Sequence, residues 1–486
     1  MRSMNTYFGD IHTHTLLSDG RQEPVETIMK AKSHLDFYAF SDHAQLPDTG
    51  TWGPDVFHGW RSIVEPMNRR WPELQKLIKD NHEPGRFVTY LGYEWSSMQW
   101  GDHNVYYLKD DEPIRYARSL GELYSLLEGV ETMIIPHHTA YPPLQRGCDW
   151  NSFDSARGPC TEVVSFHGCS ESDGGPYAFG TNMGPRCSAG TAQRALELGK
   201  VVGFIGGTDD HTGYPGFYGR GLCAVQAEEL TRQALWDAFW KRRTYAITGD
   251  RIGLKFALND QPMGSVISVQ GQKPRQLRIG IDAWDHLRTV EIIKNNQTVK
   301  SWSRFDQSEV KSASRYKVGV EWGYHAGKMW DFSIEIQDGS LLGHNFHFQP
   351  PGFDQLKIVD AKRRLDISSE TSSKQVGSGD QSRPGVKQID LDVNGRAETK
   401  LAILTGERLA MVCTLGELAA GSKASLPFGP YQGAFHLLRP IPEAQFLTQL
   451  EWEDSEPQGD RDYYYVRGFQ KNGQAFWSSP IWTTSR

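Results

Sequence analysis

Up to about residue 250 short apolar runs alternate with amphipathic segments, and this alternation restricts the fold more than any other feature of the chain. Residues 7–11, 37–40, 86–93, 104–108, 133–135, 163–166 and 201–205 read as strands. Helices are expected at 24–32, where Pro24 suits a first turn, and from Ser119, where Glu122 follows at the capping-box spacing, to near Gly129. Two more are expected at 191–198, stopped by Gly199, and at 231–242, before a strand at 244–247. Such repeated β-α alternation predicts an α/β fold with a parallel sheet, open or closed into a barrel. Beyond Asp250 helical periodicity nearly vanishes. Short strands such as 252–258, 277–283 and 332–336 are separated by turn pairs such as Asn259-Asp260, Asn295-Asn296 and Asp338-Gly339. The chain therefore divides into residues 1–250 and an all-β, sandwich-like domain over 251–486, with a Ser/Gly/Gln-rich mobile loop at 368–387.

The residues able to hold a metal fall just past the strands. His12, His14 and Asp19 follow the first strand and His43 the second; Glu94 ends the third. His103 opens the next, His137 follows 133–135, and Asp209 and His211 follow 201–205. Loops after the strand ends of an α/β barrel converge on one face, so separate segments deliver imidazoles and carboxylates to one place. A lone His-x-His or Asp-x-His is weak evidence; the joint placement is not. The donor mixture suits Zn, Mn or Fe better than Ca or Mg alone.

Composition narrows the partners. Lys and Arg total 52 against 59 Asp and Glu, and the net charge of -7 disfavours nucleic acid and membrane surfaces. The expected partner is a small-molecule substrate, with the oligomeric state left open. No apolar run reaches the length of a membrane span, and no apolar signal-peptide core follows Met1, which favours a cytoplasmic chain. The six cysteines include no CxxC pair and are expected as buried free thiols.

The stretch Gly9-Asp10-Ile11-His12-Thr13-His14-Thr15-Leu16-Leu17-Ser18-Asp19-Gly20 resembles the first motif of the PHP (polymerase and histidinol phosphatase) superfamily. Ser41-Asp42-His43 resembles its second motif and Glu94 its third. His137 resembles its strand-end His-Pro histidine, with His138 replacing the proline, and Gly207-Thr208-Asp209-Asp210-His211 resembles its last motif. His103 resembles the histidine that opens a strand shortly after the Glu. More narrowly, residues 162–171, 231–249 and 463–482 resemble the DUF3604-type PHP hydrolases and their carbamate-hydrolase relatives, so the likeness covers nearly the full length.

This resemblance implies a distorted (β/α)7, TIM-like barrel carrying two or three divalent transition metals (Zn, Mn or Fe). One metal is expected on His12, His14, Glu94 and Asp209, a second on Glu94, His103 and His137, and a third on Asp19, His43 and His211. Glu94, Asp209 and His211 are the expected catalytic residues. His138, His167, Arg220 and Arg243 are expected to bind substrate or orient a ligand. The segments 45–54 and 141–190 resemble lids, with Trp52, Trp100, Trp150, Tyr177 and Phe179 as candidate pocket walls. The implied activity is hydrolysis by a metal-bound hydroxide, first of a phosphomonoester or phosphodiester and second of a carbamate, carboxyl ester or amide. A degenerate, non-catalytic PHP scaffold is disfavoured because all nine ligand positions carry competent side chains.

Overall fold

The computed structural model describes residues 4–48, 54–180, 183–269, 273–303, 313–324, 328–350, 354–360, 362–371, 385–429, 433–455, 457 and 461–485. In the first half the elements run β1 (Asn5–Asp10), α1 (Pro24–His34), β2 (Phe37–Ala39), β3 (His43–Gln45), α2 (Pro54–Asp80), β4 (Val88–Trp95) and β5 (His103–Tyr107). They continue through α3 (Leu120–Leu126), β6 (Thr132–Pro136), β7 (Cys160–Ser165), β8 (Gly168–Cys169), α4 (Ala192–Glu197) and β9 (Gly203–Gly206). Strand β10 (Leu222–Ala227), α5 (Arg232–Trp240) and β11 (Thr244–Ile247) complete this part. Helix α1 buries Pro24, Thr27, Ile28 and Ala31, the one-face spacing of an amphipathic helix. At α3 the Ser119 side chain accepts from the Glu122 backbone N–H, while the Glu122 carboxylate reaches Arg118 rather than closing a full capping box.

The fold is mixed α/β and rich in strands. One sheet runs β11-β10-β1-β2-β4-β5-β6. The β1–β2 and β2–β4 pairs are parallel, but β1–β10, β10–β11, β4–β5 and β5–β6 are antiparallel. The expectation of a parallel sheet thus holds for part of it. The turn between β4 and β5 spans only residues 96–102, shorter than the roughly dozen residues a parallel crossover needs. Strands β7 and β9 form a separate parallel pair, with β8 antiparallel to β7. Beyond β1 and β9, Thr13 and Asp210 form a parallel bridge, fastened by His14 N to Asp210 O at 2.9 Å and Asp209 N to His12 O at 2.8 Å. At the other flank Thr161 Oγ1 donates to Pro136 O at 3.3 Å, bringing β7 beside β6.

The texture changes at Asp250, but the sheet does not stop there. Strand β11 pairs with Ala475–Ser478, which leads on to Arg461–Gln470, Ile481–Ser485 and Val266–Val269. Accordingly one apolar core runs from Leu17 and Ile28 through Leu254 and Ile292 to Val466 and Ile481. A second core, from Ala313 to Leu437, lies between a six-stranded and a five-stranded antiparallel sheet, with Val318, Val320 and Trp322 on one side and Phe332, Ile334 and Ile367 on the other. The expected loop at 368–387 overlaps the strands Arg364–Glu370 and Val386–Asn394, and its middle, 372–384, lies outside the described residues. All six cysteines are free, five of them buried and Cys187 half-buried. Among the described residues no helix is long and apolar enough to cross a membrane.

Candidate metal centre

Three aspartates that flank the motif histidines build the frame. Asp10 accepts from the backbone of His12, Thr208 and Gly216, tying the end of β1 to the loop after β9. Asp42 accepts from Thr15 N at 2.6 Å, Thr15 Oγ1 and Ser18 Oγ, fixing the His14–Asp19 turn to the end of β2. Asp210 accepts from Thr212, Tyr214 and Arg220, closing the turn that carries Asp209 and His211. Burial pushes the Asp10 and Asp42 carboxyls up to about 6 against the hydrogen bonds they accept.

Within this frame the side chains converge. Asp209 Oδ1 lies 3.2 Å from His12 Nε2 and 3.1 Å from His14 Nε2. Glu94 Oε2 lies 3.7 Å from His12 Nε2, 3.4 Å from His14 Nε2 and 3.5 Å from His137 Nε2, while Oε1 is 3.1 Å from His43 Nδ1. Asp19 Oδ1 is 3.7 Å from His43 Nε2 and 3.3 Å from His211 Nε2. Overlapping donor groups result, among them His12, His14 and Asp209; His12, Glu94 and His137; His14, Asp19, His43 and His211; Asp102, His137 and His138; and His138, His167 and Asp209. His103 stands at the margin. Its Nδ1 is 3.0 Å from Gly101 O, its ring lies beside Trp95 and Phe153, and its Nε2 is buried without a hydrogen-bond partner.

The donor chemistry fits a cation. His12 Nε2, His14 Nε2, His137 Nε2 and Glu94 Oε2 are buried and have no hydrogen-bond partner. Burying such atoms unsatisfied costs about 1–3 kcal/mol each, which a cation accepting several lone pairs at once would offset. Electrostatics already separate the roles. Burial would raise the Glu94 carboxyl, but the neighbouring His43 and His137 imidazoles, with His12 beside them, hold it well below the usual range. Asp209 is likewise held down, against burial, by His12, His14 and His167. Burial and the neighbouring His211 and His43 push His14 down to about 4, the neutral form a ligand needs. His211, opposed by burial but bonded to Asp19, rises to about 9. The side chains of Asp19 and His211 are 33% and 28% exposed against 1% for Glu94, so the centre opens at the Asp19 end. Trp60 flanks that end, 4.9 Å from the His43 ring, and Phe166 lies 5.8 Å from His211.

The other side is walled by the segment after β6. His138 Nε2 is 3.2 Å from Asp102 Oδ2, His167 Nε2 is 3.1 Å from Asp209 Oδ2, and Tyr141 Oη is 2.7 Å from His167 Nδ1. His138 and Asp209 both hold positive φ, 33° and 52°, unusual for residues other than glycine and common where a site constrains the backbone. Arg146 pairs with Asp102 and reaches Glu94 Oε1 at 3.4 Å. Arg220 reaches the frame rather than the metal-type side chains, held by Asp210 at 3.0 Å and lying over Phe217. Arg243 does not join the cluster. It sits at the start of β11 against Met4, at the opposite end of β1 from His12, because the antiparallel β10–β11 pair returns the chain to that end. Of the expected pocket walls, Trp150 is buried core with its Nε1 bonded to Gly190 O, and Tyr177 packs on Trp477. Trp100 lies beside Trp95, Phe179 lies against Tyr141, and Trp52 is outside the described residues.

Sequence reasoning missed Asp102, Arg146, Glu162 and Trp60. Asp102 and Glu162 each had a visible signal, the first next to His103 and the second opening the family-like stretch 162–171. Arg146 and Trp60 had none, since neither belongs to a motif.

A protein of Chlamydia muridarum, itself described as uncharacterized, is 28% identical over 251 residues, covering 47% of this chain and 40% of the relative. Another from Chlamydia pneumoniae is 26% identical over 326 residues, covering 61% of this chain and 49% of the relative. The aligned part of the chain thus spans less than half the length of these curated relatives. Among solved structures, a two-domain protein containing a predicted PHP-like metal-dependent phosphoesterase from Bacteroides vulgatus aligns at 14% identity and a TM-score of 0.36, over 60% of this chain and 79% of that one. The family described as protein of unknown function DUF3604 matches residues 216–261, from Gly216 through β10, α5 and β11. That interval contains the stretch 231–249, so the chain's likeness to DUF3604 is borne out there.

Proposed function

We propose that this chain is a metal-dependent hydrolase that binds two or three divalent transition metals (Zn, Mn or Fe) and cleaves a phosphomonoester or phosphodiester. The observation that carries this reading is the set of buried, partnerless ligand atoms on His12, His14, Glu94 and His137, gathered from separate strand ends. A PHP-type distorted seven-stranded barrel is the architecture proposed for the catalytic part. The Thr13–Asp210 bridge beyond β1 and β9 and the hydrogen bond from Thr161 to Pro136 between β7 and β6 support it.

Residues that would hold the cations are His12, His14, Glu94 and Asp209 at one position, Glu94 and His137 with His103 nearby at a second, and Asp19, His43 and His211 at the third. Bound divalent cations supply a water that is nucleophilic near neutral pH and neutralise charge on the reacting ester. Glu94 would serve the first two positions through Oε2, which faces His12 and His14 as well as His137. His167 holds Asp209 through Oδ2 and leaves Oδ1 for the His12 and His14 side. His138 and His167, on the wall, would contact the substrate or orient a ligand. The Arg146 guanidinium brings positive charge next to Glu94, which suits an anionic ester and favours phosphorus over a carbamate carbonyl. Trp60 and Phe166 at the open end favour the second reading, an aryl carbamate, ester or amide.

Metal analysis after metal-supplemented purification, together with turnover of an aryl phosphate, an aryl phosphodiester and an aryl carbamate, tests both. Two or three equivalents of metal with preferred cleavage of a phosphoester is the expected result. Less than one equivalent overturns the hydrolase reading, and preferred carbamate cleavage replaces the first substrate class by the second.

A further inference from the structure

Glu162 lies on β7 opposite Ile205 of β9, in a parallel pair buried at every position. Its Oε2 is 2.9 Å from His12 Nδ1. When the carboxylate is ionised it can only accept, and a neutral His12 in this contact then carries its proton on Nδ1. The lone pair then falls on Nε2, the atom that faces Asp209 Oδ1 and Glu94 Oε2 and has no hydrogen-bond partner. The surroundings leave this arrangement little freedom. A Cβ added at Gly207 would lie 2.4 Å from Glu162 Oε2 and 2.8 Å from His12 Cβ, so only glycine there lets the two side chains meet.

The second oxygen separates a role in cation binding from a role in packing alone. Glu162 Oε1 is buried and without a hydrogen-bond partner. A glutamine could accept the Nδ1 proton through its amide oxygen without burying a carboxylate. A carboxylate kept here without a second donor costs free energy that packing does not return. It is useful if positive charge is bound on the far nitrogen of the same ring, since a negative partner makes the imidazole a stronger ligand.

We infer that Glu162 is a positioning residue of the metal centre, fixing the His12 imidazole with Nδ1 protonated and Nε2 presented to a cation. The inference rests on the metal-dependent reading proposed above and adds a residue outside the nine expected ligands. It acts through His12 and touches no substrate.

The test uses the full chain, stripped of metal by a chelator and titrated with Co2+ in competition with a chelating dye. The wild type is compared with Glu162→Gln, Glu162→Ala and Glu162→Asp, and the cobalt absorption band is recorded throughout. Glu162→Gln is expected to melt, metal-free, at the wild-type temperature yet to bind Co2+ about 10–100-fold more weakly, the range typical of losing such a partner. Glu162→Ala should lose more, Glu162→Asp should recover part of the loss, and the absorption band should shift in the weakened variants. Wild-type Co2+ affinity and an unshifted band in both Glu162→Gln and Glu162→Ala overturn the inference while leaving the metal centre in place. So does a Glu162→Gln chain that melts early but binds Co2+ normally, which assigns the residue to packing alone. A wild-type chain that binds no Co2+ removes the centre and the inference with it.

Discussion

At Glu94 one carboxylate meets four imidazoles: Oε2 faces His12, His14 and His137, and Oε1 faces His43. Replacing it by glutamine keeps the shape and removes the charge that would hold two cations close together. Glu94→Gln is therefore expected to lose at least one metal equivalent and to abolish turnover; elemental analysis and steady-state rates on the ester panel decide it. Wild-type rate in the purified variant would remove Glu94 from the centre. Arg243 supplies the opposite case. Its guanidinium contacts Met4 at the far end of β1, so Arg243→Ala should leave KM and kcat unchanged and move stability by no more than about 0.5 kcal/mol. A raised KM for phosphoesters in that variant would show that its placement away from the cluster does not exclude it from binding. Six of the expected ligands, His12, His14, Asp19, His43, Asp209 and His211, lie in short motifs whose own aspartates, Asp10, Asp42 and Asp210, lock each turn. Arg146 reaches Glu94 from a loop with no motif, through a positive-φ backbone that no residue pattern announces.

Among the elements, the capped helices and most strands of the first half were readable to within a few residues, whereas β10, the short β3 and β8, and α2 were not. Helix α2 buries Met67, Trp71, Leu74 and Ile78 on one face, a regular helical spacing, yet it contains Pro66 and Pro72. Proline lacks the N–H of a helix interior and argues for a break, so tertiary burial of that apolar stripe wins over local propensity. The reversed direction of β5 and β10 was equally hidden, because alternation of strand and helix does not encode which way a strand runs. In the second half the helix Leu415–Ala420 shows how local the readable signals are. Thr414 accepts from Glu417 N at 3.1 Å, and Glu417 Oε2 accepts from Thr414 N at 2.8 Å, a complete capping box on a helix of only six residues. Leu415 and Leu418 anchor it to the sandwich core. Thr414→Ala should cost about 1 kcal/mol. The loss should appear as an earlier melting transition with unchanged metal content. A simultaneous loss of metal would mean that the sandwich and the centre unfold as one unit.

On the scale of the whole molecule, the two cores meet at a polar knot beneath the loop that carries Asp209 and His211. Asp250 accepts from Tyr218 Oη, Asn345 Nδ2, Gln470 Nε2 and Asn472 Nδ2, drawing donors from both halves of the chain. His347 stacks on Tyr218 at 3.8 Å, its Nε2 lies 2.7 Å from Asp390 Oδ2, and Phe348 O accepts from Tyr218 N at 2.7 Å. Tyr218 lies two residues from Arg220, whose partner Asp210 lies next to Asp209, so the sandwich helps to hold the site loop. Burial presses the His347 pKa down, but Asp390, Asp250 and Glu321 together raise it above its ordinary value. A group whose folded-state pKa is raised stabilises the folded state fully below its unfolded pKa, about 6.5 for histidine, and loses that contribution as pH rises through the folded value. The stack on Tyr218 does not need the charge and persists across this range. His347→Gln should therefore lower the melting temperature most below about pH 6.5, and the gap to wild type should narrow, without vanishing, as pH rises beyond the folded-state pKa. Melting curves of both chains at matched ionic strength from acid to mildly alkaline pH measure that gap. A gap that stays constant would assign His347 to packing alone, and one that widens with pH would reverse the sign of its coupling to Asp390.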